Sequence, residues 1–212
     1  MIALILRELR IAVSGGHALL ALIFFLLVAT LFPFAIGPDN AMLQRTGGGA
    51  LWIAALLAAL LPIERLVEPD RASGMLDQLA VRSQSDEKVA LAKLAGHWLG
   101  FGPPLMLAAI PAAALMKLEP EALLRLELGL LAGTPGLAAL TLMIAAILAG
   151  LRSSGALAGL LMLPLTVPIL IFGAGMGDGR DPSALKLLAA ASLLLVGLAP
   201  FVAGAAIRAS RD

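Results

Sequence analysis

The sequence has no cysteine, no tyrosine, two histidines, two tryptophans and only 14% charged residues. Without cysteine there is no disulfide, no thiolate nucleophile, no cysteine-ligated zinc and no cysteine-attached haem, and cysteine usage says nothing of the compartment. A phosphate-cradling Gly-x-x-x-x-Gly-Lys-[Ser/Thr] loop is missing, and glycine nowhere precedes lysine, so nucleotide must bind another chain if it is used at all. No His-Glu-x-x-His motif occurs and no nucleophile sits beside a plausible base, which argues against an intramembrane enzyme. A formal net charge of +1 lacks the basic patch of a nucleic-acid binder.

What the chain has is apolar length. Of its 212 residues 60% are hydrophobic, against about 45–50% in soluble domains, and its mean hydropathy is +0.99. A helix needs about 20 apolar residues to cross the hydrocarbon core. Six stretches qualify, at about residues 18–36, 46–63, 94–116, 128–151, 153–177 and 187–207. Backbone polar groups in lipid must be satisfied internally, so these are helices, and the expected fold is an all-α integral membrane protein with a single transmembrane domain over 1–212. Pro33, Pro62, Pro103, Pro104, Pro111, Pro135, Pro164, Pro168 and Pro200 predict kinks. Small-residue clusters at 133–136 and 153–159 permit close helix contact and suit a dimer or subunit seam.

The opening "MIALILRELRIAV" lacks a signal-peptide cleavage site and reads as retained. Ile2, Ile5, Leu6, Leu9 and Val13 share one helical face while Arg7, Glu8 and Arg10 fall largely off it, which suits an amphipathic interfacial helix; a plain extension of the first span is the other reading. With the amino terminus inside, the inner segments hold ten Lys and Arg (Arg7, Arg10, Arg65, Arg71, Arg82, Lys88, Lys93, Arg152, Arg208, Arg211) and the outer ones five (Arg45, Lys117, Arg125, Arg180, Lys186), so both termini are expected in the cytoplasm.

That topology makes residues 64–93 a cytoplasmic loop. Within it "PDRASGMLDQL" predicts a short helix, with Asp70 or Ser73 as N-cap and Gly74 for the tight turn. Met75, Leu76 and Leu79 give it one apolar face, Asp77 and Gln78 polar contacts; Ser83 and Asp86 have capping-box spacing before the next helix. Such a face is laid on lipid or inserted in a partner.

The chain resembles the CcmB family, membrane subunits of the ABC-type exporter of cytochrome c maturation. The resemblance rests on "TLFPFAIGP", "LWIAALLAALLPIERL", "SGMLDQL", "AKLAGHW", "GTPGLAAL" and "LPLTVPILIFG", in that order over nearly the whole chain. It implies an ABC-exporter permease fold in the bacterial inner membrane and a non-catalytic role. It also implies a partner ATPase, CcmA, that holds ATP and magnesium, with two copies of each subunit. CcmC and CcmD are implied alongside, with release of haem-loaded chaperone CcmE or haem delivery as the work done. Ser73, Gly74, Met75, Leu76, Asp77, Gln78 and Leu79 are then the expected ATPase contact, a coupling helix. Another ABC exporter's permease is the alternative, and a stand-alone secondary transporter would need midplane charges or matching broken spans.

Haem ligation at depth needs His, Met, Cys or Tyr. His17 reads as interfacial; His97, beside Trp98, is either a functional site or an anchor pair in the aromatic belt, and the resemblance leaves haem to partner subunits, with no cofactor on this chain. Glu64 and Arg65 are candidates for ion pairs with each other, the loop or the partner, and Glu127 reads as interfacial.

Overall fold

The structure is a computed structural model, described here for residues 1–151, 154–176 and 183–211. Among those residues are nine α-helices and no strand: α1 Ile2–Ser14, α2 His17–Ile36, α3 Asn40–Leu60, α4 Glu68–Ala72, α5 Met75–Val81, α6 Asp86–Leu115, α7 Pro120–Ile147, α8 Ser154–Gly175 and α9 Ser183–Ala209. A 3₁₀ turn, Ile63–Arg65, links α3 to α4. Six helices are long and apolar enough to cross a membrane, so the chain is a multi-pass membrane protein. The expected spans correspond to α2, α3, α6, α7, α8 and α9. Arg152, Ser153, Gly177 and Arg180, used above for boundaries and charge counting, lie outside the described residues.

Sequence chemistry explains the boundaries. α1 stops at Gly15, and Gly16, at φ 72°, turns the chain into α2. Asp39 caps α3 by accepting a hydrogen bond from the Met42 N–H at 3.0 Å. Pro120 opens α7 at its first turn, where the missing N–H costs nothing. Pro62 lies just past α3, so it ends that helix instead of kinking it, while the other eight prolines named above sit inside helices.

α7 is the centre of the bundle. In its most apolar window 78% is buried, against 17% for α2, 22% for α8 and 28% for α9, so those three turn most of their surface away from the rest of the chain. It packs on α9, α6, α8 and α3. Small residues set the distance: a Cβ on Gly136 would stand 2.9 Å from the Ser192 Cα of α9, and one on Gly133 2.7 Å from Trp52 of α3. The Gly133 to Gly136 cluster therefore builds an internal seam, not the subunit seam its composition suggested. Glu127, on the same helix, is half-buried with Oε1 sealed from solvent and without a hydrogen-bond partner.

The chain passes up and down, which brings α1, α4, α5, the start of α6, the end of α7 and the end of α9 to one end of the bundle. The contacts that establish this are Lys93 to Glu8 and Asp70, Gly150 to Glu68, and Arg211 to Leu76 and Asp86.

Candidate functional site

The densest polar structure of the molecule lies at that end, built around the segment between α3 and α6. The segment is two short helices rather than one. α4 ends at Ser73, and Gly74, at φ 69°, turns the chain into α5, as its glycine predicts. Neither Asp70 nor Ser73 caps α5; Gly74 holds the N-cap position. Ser83 does not cap α6 either: it sits at φ 58° in the connecting turn, and Ser85 is the N-cap, its hydroxyl accepting from the Lys88 N–H at 3.4 Å.

Asp70 instead turns inward. Arg7 of α1 grips it with both terminal nitrogens, Nη2 to Oδ1 at 2.5 Å and Nη1 to Oδ2 at 3.1 Å. Lys93 of α6 donates to the same carboxylate at 2.5 Å and to Glu8 of α1 at 3.2 Å, and Arg7 also pairs with Glu8. Lys93 is 2% and Asp70 8% exposed. Ions taken that far from water persist only when paired, and two cations against two anions leave the cluster neutral. The Asp70 carboxylate holds the Arg7 guanidinium pKa above its ordinary value, chiefly through that hydrogen bond.

α1 reaches this cluster because α6 presents no side chain where it crosses. A Cβ on Gly96 would collide with the Glu8 Cβ, and one on Gly100 would stand 3.0 Å from the Ala12 Cβ. The helix is amphipathic as expected, but its charged side, Arg7 and Glu8, packs against protein, while Ile2, Leu6 and Val13 are exposed.

Two more anchors hold the segment. Glu68 of α4 is forked by Arg71, at 2.9 and 2.8 Å, and accepts the Gly150 N–H at 2.7 Å, tying α4 to the end of α7. At the other flank Arg211 donates to the Leu76 carbonyl at 3.4 Å and to Asp86 at 2.8 Å, and Arg208 bridges Asp86 and Glu87 at 3.2 and 2.7 Å. Asp86 opens α6, where a carboxylate also favours the helix dipole. The sequence uses the basic residues among these only to orient the chain in the membrane. The charges are mutual partners, and the available signal was that Arg7, Glu8 and Lys93 stand in or beside strongly apolar runs.

The apolar face expected on α5 is covered within the chain itself. Leu76 is 1% and Leu79 8% exposed, covered by their own chain, and Met75 is half-buried. α5 turns outward Asp77, Gln78, Ala80 and Val81, the last 85% exposed, with Ser73 before it and Arg82 after. Glu64 and Arg65, in the 3₁₀ turn, are exposed; a Cβ on Gly155 of α8 would meet Glu64 Oε1 at 2.5 Å, so this carboxylate packs across the start of α8.

His97 lies on α6 one turn beyond Lys93, 5% exposed, its ring 4.8 Å from that of Phe101 and its Nε2 without a hydrogen-bond partner. It lines a cavity of about 40 Å³ with Glu8, Arg65, Lys93 and Phe101. Water fits there; small-molecule sites run to about 300–1,000 Å³. Trp98 donates from Nε1 to the Thr134 hydroxyl of α7 at 3.0 Å. Trp98 thus ties α6 to α7, while the ring contact of His97 is with Phe101 of its own helix. Among the described residues no group of His, Cys, Asp and Glu could hold a metal.

Comparison with known proteins agrees with this architecture along its length. The CcmB protein family model matches residues 1–210. The chain is 45% identical over 214 residues to heme exporter protein B of Paracoccus denitrificans, covering 98% of each chain. It is 42% identical over 215 residues to heme exporter protein B of Haemophilus influenzae, covering 99% of this chain and 97% of that one. With the heme exporter protein B of Escherichia coli K12 the identity is 38% over 212 residues, 96% of this chain and 95% of the other. A family model and relatives spanning nearly the whole length, over the six apolar helices and the polar segment alike, place the chain in the CcmB family.

Proposed function

We propose that this chain is the membrane subunit of the ABC transporter of cytochrome c maturation and haem export, coupling hydrolysis by a separate ATPase to the release of haem-loaded chaperone. The observation that carries this reading is the build of α5. It is a short helix rooted by Leu76 and Leu79, with Asp77, Gln78 and Val81 facing out, on a chain without a phosphate loop. A helix so rooted and so exposed suits a motor subunit that pushes on it. The assembly proposed from the family is two copies of this chain with two CcmA ATPases, which carry ATP and magnesium, together with CcmC, CcmD and the chaperone CcmE. The setting is the bacterial inner membrane, with α1, α5 and both termini in the cytoplasm.

Haem in this reading is cargo of the partner subunits. The 40 Å³ beside His97 is about a tenth of a small-molecule site and supports that division. The part of this chain in that reading is mechanical.

Co-purification of the ATPase with the chain in nanodiscs, and stimulation of its turnover, test the assignment. Val81→Asp and Gln78→Ala, both on the open side of α5, are expected to weaken association while the subunit itself stays folded. Unchanged association and stimulation in both would move the contact elsewhere. Asp at Leu76 or Leu79 is a poor probe, because those side chains are core and their loss unfolds α5 itself.

A further inference from the structure

The link from α5 to α6, residues 82–85, is a turn with Ser83 in a positive-φ conformation and no regular structure of its own. A push on α5 that travelled only through this link would be dissipated by bending. The side chains offer a stiffer route. Asp70 stands in α4, yet both of its strong partners belong to other helices, Arg7 on α1 and Lys93 on α6. The Arg7 fork fixes orientation as well as distance, since two parallel N–H donors meet two carboxylate oxygens. Lys93, 2% exposed, bridges Asp70 and Glu8 and so closes a triangle among α4, α1 and α6. Below it α1 lies on the bare backbone of α6 at Gly96 and Gly100.

We infer that α1, the α4–α5 segment and the first turns of α6 move as one rigid body, so that force on α5 reaches the third span through Asp70, Lys93 and the Gly96–Gly100 seam. Arg7, Asp70 and Lys93 are positioning residues for coupling, not part of the docking surface. This rests on the reading that an ATPase docks at α5.

The absence of cysteine makes a direct test clean. Ala12→Cys with Gly100→Cys places two Cβ atoms about as close as 3.0 Å, a small shift from the roughly 3.5–4.5 Å of a disulfide. The assembled complex in nanodiscs would be assayed for ATPase stimulation with this pair reduced and oxidised, beside oxidised wild type. If the helices move together, oxidation leaves stimulation within about twofold of the reduced pair. If α1 slides on α6 during turnover, oxidation abolishes stimulation and the rigid-body inference is overturned.

A second arm uses Arg7→Gln and Arg7→Lys. Arg7→Gln is expected to retain the bound ATPase and lose about tenfold in stimulation, with partial recovery in Arg7→Lys, which keeps the charge but not the fork. Full stimulation in Arg7→Gln would overturn the inference, as would parallel loss of association and stimulation, which would mean that the cluster only shapes the docking face. Wild type that binds no ATPase defeats the underlying reading instead, and the two failures are told apart by association alone.

Discussion

The indole of Trp52 occupies the space where Gly173 would carry a side chain: a Cβ on Gly173 would lie 2.5 Å from its Cε2. Gly133 stands in the same relation at 2.7 Å and Gly129 at 3.1 Å, so three glycines from α7 and α8 hold one tryptophan that is 1% exposed. Gly173→Ala and Gly133→Ala must move the ring or the backbone, a cost of about 1–3 kcal/mol each for overpacking. Gly48→Ala and Gly159→Ala, where nothing lies within 4 Å of the added carbon, are the controls. Thermal unfolding in detergent, followed by tryptophan emission, should show lower midpoints for the first pair only. Equal midpoints in all four would mean that the wedge does not bear on stability.

Much of this architecture is legible in the sequence because apolar length is a physical requirement of the bilayer. Six helices long and apolar enough to cross, the amphipathic helix before them and the tight turn at Gly74 all follow from run length, residue spacing and glycine chemistry. The partners of charges do not follow from it. Asp70 and Lys93 are 23 residues apart, and Asp86 and Arg211 are 125 apart, so no periodicity brings them together. What covers the apolar face of α5 is not legible for a related reason. Helical spacing identifies Leu76 and Leu79 as one face but does not say whether the chain itself or another protein covers it. The glycine pairs were ambiguous in the same way, and only the packing shows Gly133 and Gly136 serving α7 against Trp52 and α9.

The buried charge cluster predicts a specific non-additivity. Asp70→Asn leaves Arg7 and Lys93 sharing Glu8 alone, and Lys93→Met leaves two carboxylates on Arg7. Each strands a mostly buried charge, at a cost of about 3–5 kcal/mol. The double variant restores neutrality, with Arg7 and Glu8 still paired, so its loss should fall well short of the sum. A double-mutant cycle of unfolding in detergent measures this directly. Additive losses would show that Asp70 and Lys93 do not sense each other.

The carboxyl-terminal end of α9 should control the mobility of α5. Arg211 is the side chain that ties Asp86 to the Leu76 carbonyl, reaching both from beyond the helix. Arg211→Ala removes that bridge while Leu76 and Leu79 keep α5 seated. Hydrogen exchange is the appropriate measurement, because opening of one short helix need not shift global unfolding. Faster exchange at amides 75–82, without change in α7, is the expected outcome. Unaltered exchange there would leave Arg211 with no hold on α5.

His97 tests whether haem chemistry resides on this chain. Its Nε2 is buried without a partner, which makes the imidazole a net cost to folding unless water in the 40 Å³ cavity satisfies it. A leucine there keeps apolar contact with Phe101 and removes the unpaired atom. His97→Leu should therefore be neutral or stabilising, by no more than about 1 kcal/mol. If partner subunits alone carry haem, the assembled complex with this variant keeps its full Soret absorbance and releases chaperone at the wild-type rate. A ligand role predicts the reverse, with absorbance lost or shifted because a leucine cannot bind iron. Stability and spectrum together separate the two, since a packing defect would lower the unfolding midpoint and leave the band position unchanged.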